Sequence, residues 1–113
     1  MRREAKKHLY DIANAARLSA SCTEGKSFPQ FTEDAILRAA VEREFEIVGE
    51  ALSQLARVDG KIALRMSEYR QIIAFRNILA HAYAQVDDRI VWDIVESKLS
   101  TLRSEVGLLQ LEN

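Results

Sequence analysis

The sequence predicts an all-α protein, an up-and-down bundle of four helices, from its composition and from the spacing of its apolar residues. The chain has 113 residues, 48% of them hydrophobic, with one proline and four glycines, fewer turn residues than a sheet protein needs. Apolar residues recur every three or four positions in four segments, which is typical of antiparallel helices joined by short connectors. A chain of this length can bury one core, so residues 1–113 are expected to form a single domain.

The first helix is expected from about Lys6 to Cys22, where leucine, isoleucine and alanine residues form one apolar stripe. It should end before Gly25, because glycine readily takes the left-handed conformation that closes a helix. A short connector containing Pro29 follows. Phe28 and Phe31 are expected to close this end of the bundle.

The second helix is expected from Glu33 to Arg57, with the hydroxyl of Thr32 as its N-cap. Gly49 interrupts an otherwise strong helical sequence. A glycine inside a helix costs about 1 kcal/mol relative to alanine, so a neighbouring helix or a ligand is expected to approach closely there, and close helix packing is favoured.

The third helix is expected to follow a loosely patterned stretch from Lys61 to Met66, with Ser67 as its N-cap, and to stop near Tyr83. The Asp87–Asp88 pair then offers the N-cap of a fourth helix toward the C-terminus, whose apolar positions extend from Val91 to Leu109. The predicted core residues of the third helix are Ile72, Phe75, Ile78, Leu79 and Ala82.

The charge and cysteine content narrow the possible functions and locations. With 16 Lys and Arg against 17 Asp and Glu, the net charge is −1, so the protein lacks the overall positive field of a nonspecific nucleic-acid binder. Any nucleic acid must therefore be held locally. The lone Cys22 excludes an internal disulfide, and no apolar run suits a signal peptide or a membrane span. We expect a cytoplasmic protein that does not contact membranes.

The third helix carries an unusual polar face beside its core stripe. On a helical wheel, Arg76, Asn77, His81 and Tyr83 fall outside the apolar arc, where an ordinary surface helix would present Glu and Lys. The guanidinium of Arg76 with the amide of Asn77 matches a phosphate or a carboxylate, and His81 suits proton transfer near neutral pH. The alternative is structural: Arg76 pairs with a carboxylate of another helix, and His81 interacts with the negative end of its own helix.

Other kinds of site have weaker support in the sequence. The two histidines and the scattered carboxylates do not form a compact metal-ligand pattern, and no metal or cofactor is expected. Glu46 and Glu50 share a helix face, but a solvated or ion-paired face is favoured there over a metal site. Cys22 is interpreted as a small apolar residue rather than a nucleophile, and Trp92 as a core residue.

The segment RNILAHAY, from Arg76 to Tyr83, resembles the Arg-x4-His-x-Tyr motif of HepT-like proteins, which belong to the HEPN superfamily. The similarity extends over nearly the whole chain. It includes HLYDI in the first helix, EIVGEA in the second, and VD-x-x-x-VW at the start of the last.

This resemblance implies a helical bundle that forms a homodimer, with the Arg and His of both copies lining one composite cleft that cuts RNA without a metal. In such a site His81 would assist attack of the ribose 2′-hydroxyl on the adjacent phosphate, and Arg76 would stabilise the developing charge. Asn77 would orient the phosphate or His81. The products would carry a 2′,3′-cyclic phosphate and a 5′-hydroxyl, and DNA would be inert.

The resemblance also implies a biological role as the toxin of a type VII toxin–antitoxin pair. The antitoxin would be a minimal nucleotidyltransferase of the MntA type that attaches AMP to Tyr83, blocking the cleft with bulk and negative charge. Toxin and antitoxin could form a larger hetero-oligomer. Two alternatives stay open: a non-catalytic module that partners a nucleotidyltransferase and uses Arg76 and His81 to bind a nucleotide or another anion, and a purely structural bundle.

Overall fold

A computed structural model describes residues 1–81 and 86–112. Seven helices and no strands lie within these two stretches, which confirms the predicted all-α fold class. The helices are α1 (Arg3–Thr23), α2 (Phe28–Glu33), α3 (Ala35–Val58), α4 (Gly60–Leu64), α5 (Tyr69–His81), α6 (Asp88–Ser97) and α7 (Leu99–Gln110). Helices α1, α3, α5 and the pair α6–α7 correspond to the four predicted helices.

The core lies around α3, which packs against both α1 and α5, while α7 also packs against α1. The rings of Phe45 and Phe75 meet nearly edge to face, with centroids 5.8 Å apart, and tie α3 to α5. One continuous cluster of buried apolar side chains joins these helices. Its largest members on α1, α3 and α5 include Leu9, Ile12, Phe45, Leu52, Leu55 and Ile72.

The connection between α1 and α3 differs from its prediction because it contains the short helix α2. Gly25 has a φ of 73° just after α1, as predicted. A capping box then forms: the Ser27 hydroxyl accepts from the Gln30 backbone N–H, and the Gln30 side chain accepts from the Ser27 N–H. Phe31 is fully buried against Trp92, with centroids 5.1 Å apart, which confirms both residues as part of the core.

The prediction that Thr32 is the N-cap of the long helix is wrong. Thr32 lies inside α2, and its hydroxyl donates to the Asp88 carboxylate at the start of α6. Asp34 takes the capping position instead, because its side chain accepts from the backbone N–H of Leu37 at 3.0 Å. The predicted N-cap role of Asp87 is confirmed, since its carboxylate accepts from the Arg89 N–H.

The stretch after α3 contains a short helix, α4, which its loose sequence pattern does not predict. Asp59 accepts from the backbone N–H of Ile62 at 3.3 Å and begins α4, which buries Ile62 and Ala63. Ser67 does not act as the predicted cap of α5. Its backbone N–H and its hydroxyl both donate to the carboxylate of Glu105 on α7.

The last predicted helix is divided at Lys98 into α6 and α7. The Ser97 hydroxyl donates to the carbonyl of Asp93, four residues earlier, and this type of bond bends helices. The Lys98 ammonium lies 3.2 Å from the carboxylate of Glu68, just before α5.

The prediction that Ile78 is a core residue is wrong as well: it is 52% exposed, because it lies at the far edge of the apolar arc of α5. No helix in the described ranges has the length and apolarity needed to cross a membrane.

Candidate active site

A close contact between α3 and α5 places the backbone of Gly49 directly against the side chain of Arg76. A Cβ atom added at Gly49 would lie 2.2 Å from the Cβ of Arg76 and 2.6 Å from its Cγ, far inside contact distance. The prediction that Gly49 permits the close approach of another helix is therefore confirmed. Because Gly49 is buried on α3, this contact fixes the base of the Arg76 side chain.

The guanidinium of Arg76 is held from two directions. Its Nη2 donates to the carboxylate of Glu50 on α3 at 2.5 Å, and its Nη1 donates to Oδ1 of the neighbouring Asn77 at 3.0 Å. Arg76 therefore does pair with a carboxylate of another helix, as the structural alternative predicted. The pair also fixes the direction of the guanidinium fork.

Glu50 is held in its ionised form. The side-chain amide of Gln54 donates to its carboxylate at 3.0 Å and, together with the positive charges of Arg76 and Arg57, lowers the pKa of Glu50 below its ordinary value. At neutral pH a full negative charge therefore faces the Arg76 guanidinium.

Arg76 lies on a groove of about 390 Å³ between α1, α3 and α5, which we call the Arg76 groove. It is lined by Lys7, His8 and Asp11 of α1, by Arg43, Glu46, Ile47, Glu50, Ala51 and Gln54 of α3, and by Arg76 and Ala80 of α5.

The charges of the Arg76 groove are balanced. Lys7 lies 2.9 Å from Asp11, Arg43 lies 3.8 Å from Glu46, and Arg76 pairs with Glu50. The favoured interpretation of Glu46 and Glu50 as ion-paired residues is confirmed. No group of three or more His, Cys, Asp or Glu within residues 1–81 and 86–112 is arranged to hold a metal ion.

The sequence did not predict a site role for the α1 residues that line the groove, nor for Arg43 and Gln54 of α3. His8 is half-buried, and its Nδ1 is buried without a hydrogen-bond partner in the described part of the protein. A signal was present on α3, where polar residues recur every three or four positions beside the apolar stripe, at positions 43, 46, 50 and 54. On the α1 wall the spacing signal is limited to the i,i+4 pair of Lys7 and Asp11, and HLYDI, which contains His8 and Asp11, belongs to the family resemblance.

His81 does not line the Arg76 groove. It is exposed and is the last described residue of α5. Five positions after Arg76 on a helix, it is rotated by about 140° and advanced by about 7.5 Å along the axis. A single copy of the chain thus presents Arg76 and His81 on different sides of α5, with the exposed Asn77 next to Arg76. Tyr83, the predicted modification site, lies outside the described residues.

Cys22 remains unsuited to nucleophilic chemistry. Its thiol is half-buried near the end of α1, and this burial raises the pKa of the thiol above its ordinary value. A protonated thiol at neutral pH agrees with its interpretation as a small packing residue.

Comparison with known protein families gives one match over most of the chain. The profile described as "Ribonuclease HepT-like" matches residues 12–108. The chain belongs to the HepT-like ribonuclease family. The matched range contains Gly49, Glu50, Arg76 and His81, whereas Lys7, His8 and Asp11 precede it.

Individual HepT-like relatives align along almost their full lengths. A candidate RNase of Methanocaldococcus jannaschii is 30% identical over 108 residues, covering 96% of this chain and 98% of the relative. A protein designated a probable ribonuclease HepT in Thermococcus cleftensis is 33% identical over 110 residues, covering 97% and 99%. A candidate RNase of Caldanaerobacter subterraneus is 30% identical over 106 residues, covering 93% and 94%. No solved structure gives a significant match.

Proposed function

We propose that this protein is a metal-independent endoribonuclease, the toxin of a toxin–antitoxin pair, which cuts RNA with Arg76 and His81 at a homodimer interface. The observation that carries the proposal is the fixed position of the Arg76 guanidinium at a groove, where Gly49, Glu50 and Asn77 hold it. In this HepT-like chain, Arg76 is the arginine of the Arg-x4-His-x-Tyr motif. Preorganised donors of this kind stabilise charge that develops in a transition state.

The proposed reaction uses the RNA as its own nucleophile. His81 accepts the proton of a ribose 2′-hydroxyl, the 2′-oxygen forms a bond to the adjacent phosphorus, and the bond from phosphorus to the 5′-oxygen breaks. The leaving oxygen takes a proton from water and becomes a 5′-hydroxyl, His81 returns the proton it accepted to the solvent, and the other fragment ends in a 2′,3′-cyclic phosphate. Arg76 donates to the phosphoryl oxygens as their charge increases, and Asn77 keeps the fork aligned.

The exposed position of His81 supports a composite site. In one chain His81 and Arg76 lie on different sides of α5, so a second copy packed against this helix can bring its own His81 to the groove. A two-fold dimer repeats this contact, so both copies contribute the same residues. The half-exposed Ile78, three residues before His81 and so on the same side of α5, gives such an interface an apolar contact.

The proposed antitoxin is a minimal nucleotidyltransferase of the MntA type that attaches AMP to Tyr83. Tyr83 follows His81 by two residues in the sequence. Each AMP would add a negative phosphate and a bulky nucleoside near the motif, and both would oppose RNA binding. Mass spectrometry of the toxin after incubation with such an enzyme and ATP should show AMP adducts on the wild type and none on Tyr83→Phe.

Cleavage of RNA in the presence of a chelator tests the proposed activity. Purified wild type, Arg76→Ala and His81→Ala are incubated with total RNA and with DNA of matched sequence, and the fragment ends are analysed. We expect cyclic-phosphate and 5′-hydroxyl ends from the wild type alone, intact DNA throughout, and a loss of at least about a hundredfold in each variant. Expression of His81→Ala should also relieve growth arrest.

Intact RNA with an unmodified wild type would contradict the ribonuclease proposal and favour the non-catalytic binding module. The ion pair between Arg76 and Glu50 is the observation that keeps this second candidate open, because an arginine already paired in the free protein can serve binding or structure alone. Adenine nucleotides and RNA would then be compared as ligands by calorimetry.

A further inference from the structure

The Arg76 groove cannot supply much attraction for a polyanion by itself. Each of its cations, Lys7, Arg43 and Arg76, is paired with a carboxylate of the same groove. Binding to nucleic acid depends mainly on cations that neutralise backbone phosphates. An RNA substrate therefore needs additional positive charge elsewhere on the surface.

A second and larger groove, of about 730 Å³, lies between the end of α1 and helices α6 and α7. Arg17 and Arg103 line it from opposite sides, both are exposed, and within the described ranges no carboxylate lies in ion-pair distance of either. Among the described residues, Glu24 is the single acidic side chain that lines this groove. The exposed residues Ser21, Ser100 and Ser104 add hydroxyls to its polar surface.

This groove continues along α1 into a shallower one that shares Arg17. The shallower groove is also lined by Tyr10, Ala13, Asn14 and Gln110, and none of these is an aspartate or a glutamate. Tyr10 is 63% exposed, which leaves its ring free for stacking. We call the combined surface the α1/α7 furrow and define it by Tyr10, Asn14, Arg17, Ser21, Ser100 and Arg103.

The α1/α7 furrow connects to the Arg76 groove across the exposed face of α1. Lys7, Asp11, Asn14 and Arg17 follow one another at three- and four-residue steps, so they form one polar ridge. Arg17 donates to Asn14 at 3.0 Å, and Lys7 pairs with Asp11 at the groove end of the ridge. The ridge is about 15 Å long, at 1.5 Å per residue.

We propose that the α1/α7 furrow binds the single-stranded part of an RNA substrate that flanks the cut phosphate. Arg17 and Arg103 contact backbone phosphates, the serine hydroxyls bond to phosphate or ribose oxygens, and a base stacks on Tyr10. An unpaired base is required for this stacking, so the furrow favours single strands over duplexes. The inference rests on the proposed function, because it takes RNA as the substrate.

The test measures binding of a fluorescent single-stranded RNA whose 2′-hydroxyls are all methylated, since this ligand cannot be cut. Anisotropy titrations over a series of salt concentrations compare the wild type with Arg17→Gln/Arg103→Gln, which we call the furrow variant. The control is Lys26→Gln/Lys61→Gln, which removes the same charge from exposed residues outside both grooves. Thermal unfolding by circular dichroism verifies that all three proteins fold.

We expect the furrow variant to bind at least about fivefold more weakly near 0.1 M salt. When the logarithm of its association constant is plotted against the logarithm of the salt concentration, the slope should be smaller in magnitude than that of the wild type by about 1.4. Each phosphate contact on a single strand contributes about 0.7 to this slope. The control should stay close to the wild type. Tyr10→Ala should weaken binding by about fivefold or more without changing the salt slope, and Tyr10→Phe should bind like the wild type.

Equal binding by the furrow variant and its control would overturn the inference while leaving the proposed function intact, provided the wild type cuts unmodified RNA. A wild type that cuts unmodified RNA but binds a duplex more tightly than the single strand would also overturn it. A wild type that neither binds nor cuts RNA would remove the proposed function, and the furrow inference with it.

Discussion

Gly49 is the residue on which the position of Arg76 depends most directly. In Gly49→Ala, the new Cβ would meet Arg76 at 2.2 Å, so α3 and α5 must separate or Arg76 must move. Despite the better helix propensity of alanine, we expect a loss of about 1–3 kcal/mol in the free energy of unfolding. Urea denaturation measures this loss, and the same protein should cut RNA more slowly because Arg76 is displaced.

Gly107 provides the matched control for that prediction. It also lies inside a helix, α7, but a Cβ added there would meet no atom of the described residues within 4 Å. Gly107→Ala should therefore increase the free energy of unfolding by about 0.5–1 kcal/mol. If both alanine variants are equally stable, the close contact between Gly49 and Arg76 does not exist.

Glu50, which forms the ion pair with Arg76, makes the stability of the protein depend on pH. The pKa of Glu50 is lower in the folded protein than in the unfolded chain, so its contribution to stability is present above about pH 4.3 and is lost as the pH falls through the folded value. Since both side chains are partly exposed, at 48% and 31%, we expect Glu50→Gln to cost less than about 1 kcal/mol at pH 7.

Two measurements check the Glu50 prediction. Unfolding at pH 7 and at pH 3 should show a smaller pH dependence for Glu50→Gln than for the wild type. Titration of the Glu50 carboxyl by NMR should show its pKa rising in Gln54→Ala, because the hydrogen bond from Gln54 is the main cause of its lowering. An unchanged pKa in Gln54→Ala would refute this cause.

At the scale of the elements, the start of α3 depends on Asp34. Its carboxylate accepts from the Leu37 N–H, so Asp34→Ala should lower the free energy of unfolding by about 1 kcal/mol. The neighbouring Glu33→Ala serves as the control, because Glu33 is exposed and its side chain makes no hydrogen bond within the described ranges. Urea denaturation of both proteins gives the comparison. A larger loss in Glu33→Ala would instead support a helix that begins earlier, as the sequence pattern predicted.

The long helices could be predicted from sequence because each repeats its apolar pattern over several turns. The short helices α2 and α4 could not, since six and five residues are too few to show a helical period. Their bounds depend instead on local side-chain bonds, the Ser27–Gln30 capping box and the Asp59 cap. The division between α6 and α7 falls at Lys98, next to Ser97, whose hydroxyl donates to the Asp93 carbonyl, and the apolar spacing does not reveal it.

The candidate site was predictable only in part, for a similar reason. Arg76 and the close approach at Gly49 follow from a local motif and from helix propensity. The ion pair between Glu50 and Arg76 joins residues 26 positions apart, and the α1 wall with His8 is more distant still. Such contacts depend on how the helices are rotated against one another, which periodicity alone does not determine.

For the whole molecule, the central claim is that two copies of the chain complete one site. The described residues of one copy present Arg76 in the groove and His81 on another side of α5. If the site is composite, Arg76 of one copy works with His81 of the second. Two inactive variants could then complement each other.

Mixing Arg76→Ala with His81→Ala tests this claim most directly. The two proteins are combined in equal amounts, exchange of copies is verified by native mass spectrometry, and RNA cleavage is measured in the presence of a chelator. Half of the dimers are then mixed, and each mixed dimer retains one of the two combinations of Arg76 and His81 that a wild-type dimer has. We therefore predict recovery of about a quarter of the wild-type activity. No recovery despite complete exchange would contradict a site shared between two copies.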